Sequence, residues 1–292
     1  MSGSIGGNRI LREQVRPTVN GYIKDVLSEY PNYKKCDITG SYNAGIKKDH
    51  GDIDLVILID AKEELKEVKK RFKEYIESLP NNITPPFRLG KNKGSKAQLY
   101  GSIVTCEYPI KDKKEDYVQI DNIITTNEDE YNFQKSFLNL NAQKQTLITG
   151  LVRIQDNESK EKLFDYFNIT ELPKLETNQE FEFVLSVSGL SLRKITLSSD
   201  RKQAYKEEIW RSHKWDNVEY LLREWDLTKS YEELLYITEK VIKDDRSRSR
   251  ICGIMKSMIN IGPGEKGTQK GIDKENGIKL AFDILKPKGI KL

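Results

Sequence analysis

The sequence predicts an α+β protein: a small mixed-sheet lobe followed by an all-helical lobe. Three observations lead there. Ile53-Asp54-Leu55-Val56-Ile57-Leu58-Ile59 is apolar at nearly every position, as a central strand covered on both faces must be. Two more strand-like stretches follow, at about 97–108 and 117–125, and amphipathic helical spacing brackets the set. From Glu128 onward apolar residues recur at three- and four-residue spacing. The predicted lobes are residues 1–127 and 128–292.

In chain order, Ile10, Leu11, Val15, Val19, Ile23, Val26 and Leu27 give one helical stripe between about Asn8 and Tyr30, with Arg16-Pro17 a place for a kink or a restart. Cys36-Asp37-Ile38-Thr39 reads as a short strand running into Gly40-Ser41. Residues 61–79 form a charged helix with Leu65, Val68, Phe72, Ile76 and Leu79 turned inward. Pro80 and Asn81-Asn82 end it, and Pro85-Pro86 bars another from starting soon after. Pro109 to Asp116 reads as the long loop of a hairpin. In the second lobe, one interrupted helical block runs through Phe133, Phe137, Leu140, Leu147, Leu151 and Ile154. Another runs through Phe181, Val184, Leu185, Val187, Leu190 and Leu192, and further helices are expected at about 200–225, 230–243, 247–260 and 273–285.

A chain of 292 residues can bury a sizeable core in two lobes. Its 37% hydrophobic and 32% charged residues are those of a rather polar globular protein. No apolar run approaches the ~18 residues that span a bilayer. The opening Met-Ser-Gly-Ser-Ile-Gly-Gly lacks the charged-then-apolar layout of a secretory signal, so a cytoplasmic location without a membrane partner is expected. Cys36, Cys106 and Cys252 lie far apart without a CxxC pair, which points to buried free thiols rather than a zinc or disulfide framework. His50 and His213 are the only histidines, which excludes a His-rich metal site. A net charge of +4 does not demand nucleic acid. Two basic clusters, Arg88, Lys91, Lys93 and Lys96, then Lys266, Lys270 and Lys274, fit either solvated faces or contacts to a polyanion.

The chemistry concentrates between Gly40 and Asp121. In a strand Asp52 and Asp54 project to the same side, with Ile53 pointing to the core between them. Two carboxylates on one face repel unless cationic charge sits there, and hard divalent ions suit them. Asp121 stands between apolar neighbours in Tyr117-Val118-Gln119-Ile120-Asp121-Asn122-Ile123-Ile124, where an acid is costly without a partner. Three converging acids are the recurring parts of two-metal phosphoryl transfer. Gly40 and Ser41 add a place where backbone N–H groups and a hydroxyl can cradle phosphate, with Gly45 completing the turn.

Gly40-Ser41 followed by Asp52-Ile53-Asp54 resembles the signature of the DNA polymerase β-like nucleotidyltransferase superfamily, over about residues 36–125. That superfamily includes poly(A) polymerases, CCA-adding enzymes, oligoadenylate-synthase-like enzymes and antibiotic nucleotidyltransferases. The resemblance implies an NTP substrate, Mg²⁺ or Mn²⁺, and an active site in the cleft between the lobes. It implies that Ser41 contacts the triphosphate, that Asp52 and Asp54 bind both ions, and that Asp121 binds one and helps activate the acceptor hydroxyl. Gln145–Arg153 is similar to the helix opening the second domain of poly(A)-polymerase and archaeal-type CCA-adding enzymes. Val187–Arg193 looks like the small-residue helix facing the nucleotide there. In such a lobe Lys144, Ser188 and Arg193 could reach the base, ribose or phosphates. The implied acceptor is an RNA 3′ end. The alternatives are an oligo- or cyclic-nucleotide synthase using NTPs alone, and a catalytically silent fold serving as a binding protein.

Other features stay outside the site. Gly262–Thr268 misses the P-loop spacing and reads as a flexible basic loop. Trp210, Trp215 and Trp225 read as helical core aromatics, and His50 as a solvated loop residue.

Overall fold

The computed structural model describes residues 7–43, 48–87, 94–101, 103–113, 115–140, 142–155, 157–197 and 204–241, with isolated positions 279 and 283. The chain divides into two compact units, Met1–Asn139 and Leu140–Leu292.

In the first unit, β1 (Ile10–Leu11) leads into α1 (Arg12–Tyr22), which runs on through Pro17 without restarting and widens into a π-helical turn over Ile23–Leu27. There follow β2 (Tyr33–Thr39), a 3₁₀ turn (Gly40–Tyr42), β3 (Asp49–His50), β4 (Asp52–Ile59) and α2 (Leu65–Ser78). Then come β5 (Ala97–Tyr100), β6 (Ile103–Pro109), β7 (Tyr117–Thr125) and α3 (Glu128–Leu138). Five strands form one mixed sheet in the order β2-β4-β7-β6-β5. Among the described residues, β4 and β7 are its one parallel pair. These two central strands are apolar on both faces for the reason given by parallel sheets generally: helices must cover them.

The cover is unequal. On one face Ile53, Leu55, Ile57, Ile120 and Ile124 pack into a large core with Val15 and Val19 of α1 and Val68, Phe72 and Ile76 of α2. Each such fully buried side chain is worth about 1.5–3 kcal/mol relative to leaving it in water. On the other face Tyr131 of α3 gathers a smaller cluster of Val56, Leu58 and Ile123, with Ile103 and Leu138 packed against it. Asn127 caps α3 by accepting from the backbone N–H groups of Asp129 and Glu130, and three acids fill its first turn, where the helix dipole favours them.

Three expectations are corrected. The stretch read as one strand, 97–108, is a hairpin that turns at Gly101, whose φ of 54° suits glycine. The helix from residue 128 belongs to the first unit, which ends at Asn139 rather than at 127. The second unit is not all-helical. Among the described residues its helices include α4 (Ala142–Arg153), α5 (Asn157–Tyr166), α6 (Trp215–Glu224) and α7 (Tyr231–Val241). Between them stands an antiparallel sheet of β8 (Gln179–Ser186), β9 (Gly189–Leu197) and β10 (Ala204–Ser212). The blocks read as helical at 181–192 and in the first half of 200–225 are these strands. Phe181, Phe183 and Leu185 alternate toward α5 and the aromatic cluster: Phe164 meets Phe181 edge-on at 5.6 Å, and Phe167 stacks on Trp210 at 5.2 Å. Trp210 is therefore a strand residue, while Trp215 opens α6. The helices expected at 247–260 and 273–285 lie outside the described residues apart from positions 279 and 283.

The β8–β9 turn depends on Gly189, at φ 120°, where a Cβ would stand 2.7 Å from the Ser212 carbonyl oxygen. Gly189→Ala is expected to destabilise the second unit by about 1–3 kcal/mol, read as a lower urea midpoint. An unchanged midpoint would mean that this hairpin is not closed as described.

Candidate active site

Strand alternation sorts β4 into two sets. Ile53, Leu55 and Ile57 enter the helix-covered core, while Asp52 and Asp54 share the opposite face with Val56 and Leu58. Because α3 rests on Val56 and Leu58, the acids occupy the start of the strand, where both remain half-buried. The parallel register pairs Asp54 with Asp121, and its neighbours confirm the common face. Ile53 pairs with Ile120 in the large core, and Val56 with Ile123 in the small one. Adjacent strands are about 4.8 Å apart, so the two carboxylates are next neighbours across the sheet. One row thus reads Thr105, Asp121, Asp54, Thr39, and the next reads Glu107, Gln119, Asp52.

Asp121 is 4% exposed. Its Oδ1 accepts from Thr105 Oγ1 at 2.8 Å and from Gln119 Nε2 at 2.9 Å. Burial pushes its pKa up to about 6; the two hydrogen bonds pull it back, and the charge of Asp52 adds to the rise. Asp37, on the same face beyond Thr39, behaves oppositely. Burial raises it too, but Lys135, 2.7 Å away, and the Tyr131 hydroxyl, 2.8 Å away, hold it below the usual carboxylate range. The sheet face therefore has one acid neutralised by a lysine and another raised by burial and a neighbouring acid.

That donor set, carboxylate oxygens on one face with repulsion resolved in Asp121, fits a hard divalent cation. The fit is chemical rather than a finished cage: among the described residues no group of three or more His, Cys, Asp or Glu side chains is gathered closely enough to hold a metal ion.

Gly40 sits at φ 68°, and a Cβ there would run into the Asp54 carboxylate. Glycine is required both for the backbone conformation and for the approach. It opens the 3₁₀ turn that presents Ser41, whose Oγ lies 3.0 Å from His50 Nδ1. Arg12 donates to the Tyr42 carbonyl at 2.8 Å and lays its guanidinium 4.5 Å from the Tyr42 ring centroid. His50 is not a solvated loop residue: it pairs with Ile10 in a two-residue ladder and is 1% exposed. Gly45 lies outside the described residues.

The sequence reading named the three acids, Gly40 and Ser41, and the structure brings these onto adjoining positions. It missed Gln119, although a polar residue two before Asp121 in a strand shares its face. It missed Thr105, Glu107 and Arg12 because only register and a long-range packing contact bring them in.

Lys144, Ser188 and Arg193 belong to the second unit. Lys144 Nζ donates to the Thr228 carbonyl at 3.3 Å. Ser188 lies in the β8–β9 turn, not on a helix, and its carbonyl accepts from Arg211. Arg193 stands on β9, 4.0 Å from Glu208 across the ladder. The helix expected over Val187–Arg193 is thus corrected to a turn and strand, while the helix expected at Gln145–Arg153 is α4. Lys96, from the first basic cluster, caps the end of α2 through the Glu77 and Leu79 carbonyls. Arg88, Lys91, Lys93 and the second cluster lie outside the described residues. No described helix is long and apolar enough to cross a membrane.

No protein-family model and no curated protein matches the chain. Solved structures do. One is a mutant of the Cid1 poly(U) polymerase bound to MgATP, 13% identical at a TM-score of 0.32, over 77% of this chain and 68% of that one. The MgGTP-bound form of that enzyme is 12% identical at 0.32, over 91% and 92%. A cytoplasmic RNA terminal U-transferase is 13% identical at 0.30, over 78% and 66%. The Cid1 enzyme is a DNA polymerase β-like nucleotidyltransferase, the superfamily that the motifs resemble. At these TM-scores the likeness is loose, and the site stands on its own geometry.

A carboxyl group with a folded pKa near 6 holds its proton over a range in which the unfolded chain, near 3.9, has lost it. Its contribution to stability is therefore lost as pH rises from about 4 to about 6, by at most about 3 kcal/mol. In metal-free protein, Asp121→Asn is expected to raise the melting temperature at pH 7 and to flatten that decline. Thermal melts in EDTA across pH 4–7.5 check it, and a variant melting below the wild type at pH 7 contradicts it.

Proposed function

We propose that this chain is a nucleotidyltransferase, moving a nucleoside monophosphate from an NTP to an acceptor hydroxyl. The observation that carries the reading is the parallel β4–β7 register, which sets Asp54 beside Asp121 with Asp52 two residues away on the same face. The Gly40–Tyr42 turn abutting Asp54 supports it, since it offers a phosphate chain backbone N–H groups and the Ser41 hydroxyl next to the acids.

In this reading the acceptor oxygen attacks the α-phosphorus, the bond from that phosphorus to the bridging oxygen breaks, and pyrophosphate leaves. Asp52, Asp54 and Asp121 would hold Mg²⁺ or Mn²⁺, which supplies acidification of the acceptor hydroxyl and neutralisation of the triphosphate. Thr105 and Gln119 both occupy Oδ1 of Asp121 and so fix its plane, leaving Oδ2 to meet the acceptor hydroxyl and take its proton. Gly40 and Ser41 orient the triphosphate, and positioning with charge neutralisation supplies most of the rate.

The acceptor we infer is an RNA 3′ end. Support comes from the basic segments of the sequence at 88–96 and 266–274, and from α4, a helix where the resemblance of Gln145–Arg153 to poly(A)-polymerase and CCA-adding enzymes has one. Lys144, Ser188 and Arg193 remain proposed nucleotide contacts of the second unit.

The test is to incubate the protein with each α-phosphate-labelled NTP and Mg²⁺ or Mn²⁺, with and without total tRNA, and resolve the products on a gel. Label moving onto RNA, and falling roughly a hundred- to thousandfold in Asp52→Asn/Asp54→Asn, is the expected result. Label in small products without RNA would replace the acceptor with a second nucleotide. Activity surviving intact in the double variant would overturn the reading.

A further inference from the structure

The turn carrying Ser41 has a histidine built against it that the motif does not include. His50 is 1% exposed and is held by two independent contacts. Its backbone pairs with Ile10, and its ring meets the Tyr42 ring at 5.7 Å with a 54° tilt. Tyr42 is in turn fixed from the far side by the Arg12 guanidinium. The Nδ1 atom of this immobilised ring lies 3.0 Å from Ser41 Oγ. The buried ring thus presents Nδ1 for a hydrogen bond to the Ser41 hydroxyl from a fixed position.

The direction of that bond gives it a use. A serine hydroxyl has one proton. If Nδ1 accepts it, the hydroxyl offers a phosphate oxygen only lone pairs, which repel. If Nδ1–H donates to Oγ, the hydroxyl proton stays available to an anion, and a donated bond into Oγ strengthens it as a donor. We propose that His50 is a positioning residue for the triphosphate. It donates from Nδ1 to Ser41 Oγ, which fixes the hydroxyl and leaves its proton directed to a phosphate oxygen. This rests on the nucleotidyl-transfer reading and adds to it a residue that acts only through Ser41.

The amide nitrogen of Asn can stand where Nδ1 stands, while that of Gln corresponds to Nε2, so the two substitutions separate the role from mere burial of a polar side chain. Binding of magnesium tripolyphosphate and of each MgNTP is measured by calorimetry on the full chain. The variants are His50→Asn, His50→Gln, Ser41→Ala and Ser41→Ala/His50→Gln, each with its melting temperature. Ser41→Ala and His50→Gln are expected to weaken binding by about tenfold each, the loss of one hydrogen bond to an anion at roughly 1.4 kcal/mol per decade. The double variant is expected to be no weaker than Ser41→Ala, since residues acting through one bond do not add. His50→Asn is expected to bind within about twofold of the wild type, with a melting temperature close to that of His50→Gln. Additive losses, or equal binding by His50→Asn and His50→Gln, would overturn the proposal and leave the nucleotidyl-transfer reading in place. A wild-type chain that binds neither tripolyphosphate nor any MgNTP would overturn both.

Discussion

Most of the first unit follows from the parallel pairing of β4 with β7. A parallel pair cannot be closed by a hairpin, so the chain between the two strands must cross over, and it does so through α2 and the β5–β6 hairpin. Both strands are then interior and need cover on both faces. The apolar sets Ile53, Leu55, Ile57 and Ile120, Ile124 recruit α1 and α2 on one side, and Val56, Leu58, Ile123 recruit α3 on the other. The same register that aligns these hydrophobes aligns Asp54 with Asp121. A slip of β4 by one residue would send Asp52 and Asp54 into the core, so packing energy enforces the geometry of the site.

The site is also where the fold is least favourable by itself. Asp121 is buried beside another acid with two neutral donors, whereas Asp37 on the same sheet face has Lys135. Gly40 is held in a left-handed conformation against Asp54, and Ser41 against a buried histidine. These arrangements are costly by themselves, and cationic and phosphate charge supplied together would offset that cost. Concentrated local cost within a well-packed frame is the usual mark of a functional region.

How much of this was legible in the sequence follows the range of the interactions. The two central strands, α2 and the loop after Pro109 were readable because hydrophobic period and proline placement are local. The acids and the Gly40-Ser41 turn were readable because alternation within one strand puts Asp52 and Asp54 on one side and because glycine before serine marks a close approach. The β8–β9 hairpin was misread, since Phe181, Val184, Leu185, Val187 and Leu190 fit helical spacing as well as alternation, and what decided it was aromatic packing against Phe164 and the turn at Gly189. The partners of Asp121 and of Ser41 were not readable. Thr105 reaches Asp121 from another strand through register, and His50 is carried to Ser41 by a ladder with Ile10, forty positions away in the sequence.

The central claim is that Asp52, Asp54 and Asp121 act together on a divalent ion that a nucleotide completes. The most direct measurement is electron paramagnetic resonance of Mn²⁺ titrated into the chain with and without a non-hydrolysable NTP analogue, for the wild type and for Asp54→Asn. The account predicts that the wild type removes free Mn²⁺ signal, more tightly when the analogue is present, and that Asp54→Asn loses this nucleotide-dependent uptake. Equal, nucleotide-dependent Mn²⁺ uptake by both proteins would contradict it.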